Sequence, residues 1–260
     1  LGKRLFERNW VSAPSSTKSD DGLGPLYDAP SCAACHLRGP AADADEASVP
    51  QGTVIRLGNA QGTGDPVYGY QLQTRGVAGQ RPEADPGIAW TTKDGRRSAS
   101  VTLRSLGYGP LAANTKIALR RAPMLNGASL LAQIPESEIL KQAERERASG
   151  NGVAGKPAYV NIGGKRVLGR LNWKATEPDL ASQTALAFSR DIGLSTAAHP
   201  EAWGDCTTAQ TACRAGPHGA GPGETEIAEP LVAAITEYLR ALPEPMAGSL
   251  PANGAALFAA

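Results

Sequence analysis

The pentapeptide Cys32-Ala-Ala-Cys35-His36 restricts the structure of this 260-residue chain more than any other part of its sequence. Two cysteines at this spacing occur in zinc sites, in redox dithiols and at covalently attached haems. Zinc needs four donors, and the other two histidines, His199 and His218, do not stand at a spacing typical of zinc ligands. A thioredoxin-like dithiol follows a central strand, whereas the segment before Cys32 has the composition of a loop.

Haem attachment gives every position of this motif a purpose. Two thiols one helical turn apart reach the two vinyl groups of a porphyrin, and the histidine that follows presents a ring nitrogen to the iron. We therefore expect Cys32 and Cys35 to bind one haem c covalently and His36 to be an axial ligand of its iron. The alternative is a chance occurrence of the motif.

The remaining two cysteines lie in a polar segment rich in glycine and proline, residues 205–223. A disulfide between Cys206 and Cys213 closes a small loop and contributes about 2.5 kcal/mol by the chain-entropy relation. Such a bond persists in an oxidising compartment. We expect this disulfide, and the alternative is two unrelated free thiols.

The composition argues against two classes of protein. Basic side chains number 26 and acidic side chains 25, so the net charge is +1 and no nucleic-acid partner is expected. No run of apolar residues is long enough to cross a bilayer, which predicts a soluble protein that does not span a membrane. The 30 glycines and 20 prolines predict many turns and long ordered loops.

Apolar residues at helical spacing predict five helices, at residues 2–9, 127–133, 136–148, 178–193 and 230–242. Short alternating segments between turn signals predict a β-rich insertion at about residues 64–122. Hairpin turns are expected at Asp94-Gly95 and at Gly163-Gly164. Together these elements predict a mainly α cytochrome c-like haem domain with β-hairpin insertions and long ordered loops.

The pattern Gly-x-x-Leu-Phe occurs at residues 2–6 and again at residues 254–258. A repeated pattern indicates repeated units, and such a helix commonly precedes the haem motif of small cytochromes. We therefore expect residues 1–250 to form one haem c-binding domain and residues 251–260 to begin a second, truncated cytochrome-like domain. The alternative is that so short a match is a coincidence.

Four segments, taken in order, resemble successive signatures of the bacterial di-haem oxidoreductases that are often described as thiol oxidoreductase-like. They are SSTKSDDGLGPLYDAPSCAACH (15–36), RRAPMLNGASLLAQIPESEIL (120–140), GRLNWKATEPDLASQTALAFSRDIG (169–193) and CTTAQTAC (206–213). Members of this family look like distant relatives of di-haem cytochrome c peroxidases, carry two c-type haems and are exported. The resemblance therefore implies a periplasmic protein, a redox partner protein and a second haem in the full-length chain.

The sixth ligand of the iron decides whether a haem carries electrons or binds a substrate. We expect Met124 in this position, because the segment after Pro123 passes near the distal side of the haem in c-type folds; a core-packing methionine is the alternative. Arg121, with Arg120, is expected to pair with the haem propionates, or else to be a solvated surface arginine. Trp173 is expected to pack on the porphyrin edge, or else to be a buried core tryptophan.

Three functional hypotheses follow. The first is a periplasmic cytochrome that transfers single electrons through a six-coordinate haem. The second is a peroxidase-like haem enzyme with an open iron site, and the third is a module in which the haem is a structural staple for docking another protein. The sequence spacing identifies no distal group of histidine, arginine and glutamate, so we assign no catalytic residue and prefer electron transfer.

Overall fold

The computed structural model describes residues 1–36, 52–245, 248 and 254. Within these residues the chain forms seven α-helices, which are α1 Gly2–Glu7, α2 Cys32–Cys35, α3 Ala128–Gln133, α4 Glu136–Ala148, α5 Leu180–Ala187, α6 Thr211–Arg214 and α7 Glu229–Arg240. A π-helical turn, Phe188–Ile192, continues α5. No helix in this part of the chain is long and apolar enough to cross a membrane.

The described residues also form nine strands, which are β1 Leu26–Tyr27, β2 Thr53–Gly58, β3 Gln71–Leu72, β4 Arg75–Gly76, β5 Asp85–Lys93, β6 Arg96–Arg104, β7 Lys116–Arg121, β8 Tyr159–Ile162 and β9 Lys165–Leu168. All the strand pairs are antiparallel. The strands build four small sheets: β1 with β4, the three-stranded order β3-β2-β7, β5 with β6, and β8 with β9.

The fold is not mainly α. The structure is 25% helix and 23% strand, so the prediction of a mainly α cytochrome c-like domain is wrong. Part of the reason is long-range strand pairing: β2 pairs with β7 along its whole length, from Thr53 opposite Arg121 to Gly58 opposite Lys116. Periodicity within one short segment does not reveal a partner so far along the chain.

Two classes of local prediction are confirmed. Helix α4 starts directly after Pro135, has acidic residues in its first turn and arginines in its last turn, and so complements the helix dipole at both ends. The β5–β6 hairpin turns at Asp94 and Gly95, whose φ angles are 51° and 71°. These positive φ values are those of the tight hairpin turns that Asp-Gly favours. The β8–β9 hairpin turns in the same way at two glycines.

The larger apolar core lies where α1 packs against α7. The backbones approach closely there, since a Cβ added to Gly2 would lie 2.0 Å from the carbonyl oxygen of Ala234. Leu5 and Phe6 of α1 are buried, as are Ile235 and Leu239 of α7. The other members come from the first loop, from α5 with its π-helical turn and from the loops that follow, and include Trp10, Leu23, Leu180, Phe188, Ile192, Leu194 and Ile227. Cys32 and Ala33 pack against this core, which anchors α2.

A second core fills the space beside the three-stranded sheet. Ile55 and Leu57 of β2 are buried there together with Tyr68 and Leu72. The Tyr68 hydroxyl donates to the carbonyl oxygen of Gly109 at 2.6 Å, so the phenol links the sheet to the loop before β7.

The expected disulfide is present: Cys206 and Cys213 are bonded, and both are buried. They pack with Leu26, Tyr108 and Trp203. The expected start of a second domain, residues 251–260, lies outside the described residues except for Gly254.

Candidate haem site

Helix α2 carries both cysteines of the motif. The helix begins because Ser31 caps it: the buried serine hydroxyl accepts a hydrogen bond from the Ala34 amide at 3.2 Å. One turn later the His36 amide donates to the carbonyl oxygen of Cys32 at 3.0 Å, and the helix ends there because the backbone of His36, with φ −92° and ψ 64°, is not helical. Residues three apart on a helix share a face. The two thiols, which are half-buried and not bonded to each other, therefore stand one turn apart on one face of α2.

The imidazole of His36 is held by a residue from a distant part of the chain. Its Nδ1 lies 2.9 Å from the carbonyl oxygen of Pro123. A carbonyl oxygen only accepts hydrogen bonds, so Nδ1 carries a hydrogen, and in the neutral ring Nε2 is the nitrogen with the lone pair. A backbone carbonyl on the non-ligating nitrogen is the usual arrangement around a metal-bound histidine. The Phe6 ring lies with its centroid 6.3 Å from that of the imidazole.

The environment of the two thiols opposes thiolate chemistry. Burial, helped by the negative charge of Asp191, raises the pKa of both the Cys32 and the Cys35 thiols to about 12. Redox dithiols react through a thiolate whose pKa is lowered. The structure therefore gives no support to the dithiol alternative. Among the described residues, no group of three or more His, Cys, Asp or Glu side chains is arranged to hold a metal ion.

The end of β7 ties the motif to the three-stranded sheet. The Ala122 amide donates to the carbonyl oxygen of Gly52 at 2.7 Å, and the next residue is the Pro123 that holds His36. Gly52 has a φ of +74°, and a Cβ on it would lie 2.6 Å from the carbonyl oxygen of Cys35. Glycine at this position lets the backbone before β2 approach the haem motif closely.

The structure brings two of the predicted cofactor-binding residues together on this side of the molecule. The Trp173 indole Nε1 donates to the carbonyl oxygen of Arg121 at 3.3 Å, and the Arg120 guanidinium lies 5.5 Å from the centre of the Trp173 ring. Trp173 is 61% exposed, so it is not a core tryptophan. Arg121 is exposed as well and is two residues from Pro123. Contact of Arg121 and Trp173 with a haem stays a prediction.

Met124 directly follows the residue that contacts the histidine. The carbonyl of Pro123 contacts Nδ1 of His36, and the Met124 side chain is 69% exposed. This exposure excludes the core-packing alternative. Ligation of iron by Met124 stays a prediction.

The sequence did not indicate two carboxylates near α2, those of Asp28 and Asp191. Gln71 donates through Nε2 to Asp28 Oδ2 at 2.8 Å and to Asp191 Oδ1 at 2.7 Å. Thr74 donates to Asp28 Oδ1 from its amide at 3.1 Å and from its hydroxyl at 3.0 Å. Gln71 and the two aspartates that it joins are distant in sequence, and the only local signal is an aspartate shortly before Cys32 in an otherwise apolar and small-residue segment.

Burial, reinforced by the negative charge of Asp191, raises the pKa of Asp28 to about 7 in spite of the hydrogen bonds from Thr74 and Gln71. Two arginines lie beyond the hydrogen-bond partners of Asp28. Arg56 Nη1 donates to Gln71 Oε1 at 2.8 Å, and Arg190 Nε lies 3.5 Å from a carboxylate oxygen of Asp205. A buried carboxyl with a pKa near neutrality exchanges a proton easily at physiological pH.

These observations suit a covalently bound haem c. The chain offers two uncharged thiols on one helical face and, directly after them, an imidazole whose Nε2 bears the lone pair. Cys32, Cys35 and His36 would hold the haem. The chain matches no protein-family model, no curated protein and no solved structure. The resemblance to the di-haem oxidoreductases therefore rests on the sequence motifs.

Proposed function

We propose that this chain is a periplasmic c-type cytochrome, the N-terminal part of a di-haem oxidoreductase. It binds one haem through thioether bonds at Cys32 and Cys35, uses His36 as an axial ligand, and transfers single electrons to a redox partner protein. When bound, the haem supplies an iron that cycles between two oxidation states. The chain's own residues would attach it and orient the ligand, and the apolar core packs against the helix that carries both cysteines.

The observation that carries the proposal is the hydrogen bond from His36 Nδ1 to the Pro123 carbonyl. It joins residues that are 87 positions apart, and it fixes the tautomer in which Nε2 is the ligating nitrogen. The disulfide between Cys206 and Cys213 supports an exported location, because such bonds are rare in reducing compartments.

A second candidate function is favoured by the position of Met124. If no side chain reaches the iron from the face opposite His36, that face is open to peroxide or another small ligand, as in a peroxidase-like haem enzyme. The exposed methionine beside Pro123 favours this arrangement over the six-coordinate one.

An optical experiment tests the proposal and separates the two functions. The chain is produced in a host that attaches haem c, and spectra are recorded in oxidised and reduced forms, with and without cyanide or peroxide. Electron transfer alone predicts a low-spin spectrum that neither addition changes. A high-spin spectrum that shifts with cyanide, together with turnover of peroxide, would support the enzyme.

A matched pair of histidine variants checks the role of the ligand. We expect His36→Gln to change the spin state or to abolish haem incorporation, because it removes the axial nitrogen. His218→Gln, at an exposed loop histidine, should leave the spectrum unchanged. A colourless protein, with reactive thiols at positions 32 and 35, would contradict the proposal.

A further inference from the structure

Asp28 and Asp191 form a carboxylate pair that the proposed function leaves unexplained. A single amide group, that of Gln71, donates to both of them, and two further donors from Thr74 reach Asp28. Asp28 and Gln71 are buried, whereas Asp191 is partly exposed. Buried carboxylates are seldom placed so close together, since each disfavours the charge of the other.

The pair lies within electrostatic range of the helix that would carry the haem. The negative charges of Asp191 and Asp28 both act on the Cys35 thiol, and that of Asp191 acts on Cys32. These two sulfur atoms are the proposed points of attachment. A charge gained at the haem would therefore be felt by the carboxylates through a low-dielectric interior, where screening is weak.

We propose that Asp28 accepts a proton when the haem attached at Cys32 and Cys35 gains an electron, so that electron transfer by this protein is coupled to proton uptake. The inference rests on the proposed haem attachment. The electron comes from a one-electron donor, which is the redox partner protein in the cell or a mediator in the experiment. The proton comes from solvent. The haem iron would be reduced by one electron, the Asp28 carboxylate would become a carboxylic acid, and the net charge of the site would be unchanged.

Other charged groups lie around Asp28, on the π-helical turn, on the three-stranded sheet and on the neighbouring loops. Asp191, Arg56 and Glu83 interact electrostatically with Asp28 itself. Arg190 and Asp205 act on Arg56, and Arg75 acts on Cys35. The negative groups favour proton uptake by Asp28 and the arginines oppose it. Burial dominates, and it raises the pKa of the carboxyl to about 7.

Potentiometric titration of the haem protein between pH 5 and 9 tests the inference. Proton uptake predicts that the reduction potential of the unaltered protein falls as pH rises across the range around neutrality. Above this range Asp28 is ionised in the ferric protein, and its negative charge stabilises the ferric form. Asp28→Asn should lose most of that slope, so that its potential exceeds that of the unaltered protein at pH 9 and equals it at pH 5. A slope that is absent, or that Asp28→Asn leaves unchanged, would overturn the inference.

Two further variants keep the result interpretable. Thr74→Val removes one hydrogen bond from the Asp28 carboxylate but keeps the carboxyl, so the pH range of the slope should move upward. Glu83→Gln removes a different buried carboxyl that interacts electrostatically with Asp28, so it should keep the size of the slope and change at most its pH range. If the slope follows Glu83 or does not respond to Thr74→Val, Asp28 is not the proton acceptor. Haem content is measured first by optical spectrum, so a protein without haem would instead contradict the proposed function.

Discussion

The two cysteine pairs of this chain lie in different environments. Cys206 and Cys213 are bonded to each other and fully enclosed by apolar and aromatic side chains. Cys32 and Cys35 stand a helical turn apart, half-buried and unbonded, with carboxylates behind them. The first pair closes a loop, and the second holds two half-buried sulfurs on one face of a helix. Two thiols that are neither paired nor activated are suited to forming bonds with a third group.

The largest effect expected from this contrast concerns covalent haem. Cys32→Ser combined with Cys35→Ser should abolish covalent attachment, because no thioether bond is possible. Cys206→Ser combined with Cys213→Ser should retain it. Haem staining of the two variants after denaturing electrophoresis makes the comparison. Covalent haem on the first variant, or its loss from the second, would contradict the assignment of haem attachment to Cys32 and Cys35.

The next largest effect concerns Asp28, one of the two carboxylates near Cys32 and Cys35. Burial raises the pKa of Asp28 to about 7 from the ordinary value of 3.8, so the folded state holds a proton that the unfolded state releases between these pH values. The free energy of unfolding should therefore fall as pH rises from about 4 to 7, by roughly 4 kcal/mol for this residue. Urea unfolding of the haem-free chain and of Asp28→Asn measures the difference, and equal pH dependence in the two would contradict it.

The disulfide should contribute less. Replacing Cys206 and Cys213 by serine is expected to lower the free energy of unfolding by about 2.5 kcal/mol, through greater freedom of the unfolded loop. Urea unfolding measures this difference. In the haem-free chain, the serine variant at Cys32 and Cys35 is the matched control. It should change the free energy of unfolding far less, since that pair closes no loop. A larger loss in the control would reverse the comparison.

The smallest effect is on thiol reactivity. In the haem-free chain, the thiols at positions 32 and 35 should react slowly with iodoacetamide at pH 8, because burial and Asp191 raise their pKa to about 12. Asp191→Asn should speed the reaction by up to about tenfold, which corresponds to one pKa unit. Rapid alkylation of the unaltered chain would instead indicate an activated dithiol.

Local signals in the sequence predicted the elements that depend on a few adjacent residues. Pro135 and Glu136 mark the start of α4, and the Asp94-Gly95 turn marks the β5–β6 hairpin. The fold class was wrong because pairing such as that of β2 with β7 joins segments about sixty residues apart, and neither segment contains evidence of the other.

In the candidate site, too, the sequence predicted the adjacent residues and not the contacts that depend on tertiary packing. Cys32, Cys35 and His36 are adjacent, and their spacing alone indicates the chemistry. The carbonyl of Pro123 has no side-chain signature, and the grouping of Asp28 with Asp191 through Gln71 depends on tertiary packing. Met124 was expected to be the sixth ligand from its place in the chain, and that ligation stays a prediction; the structure shows only that the preceding residue, Pro123, contacts the imidazole.

Intact mass spectrometry is the most direct test of covalent attachment at α2. The unaltered chain is produced in a host that attaches haem c, then denatured and extracted to remove any haem that is not covalently bound. We predict the mass of the polypeptide plus one haem, with the addition confined to the peptide that contains Cys32 and Cys35. The mass of the bare polypeptide, with both of these thiols open to alkylation, would contradict the account.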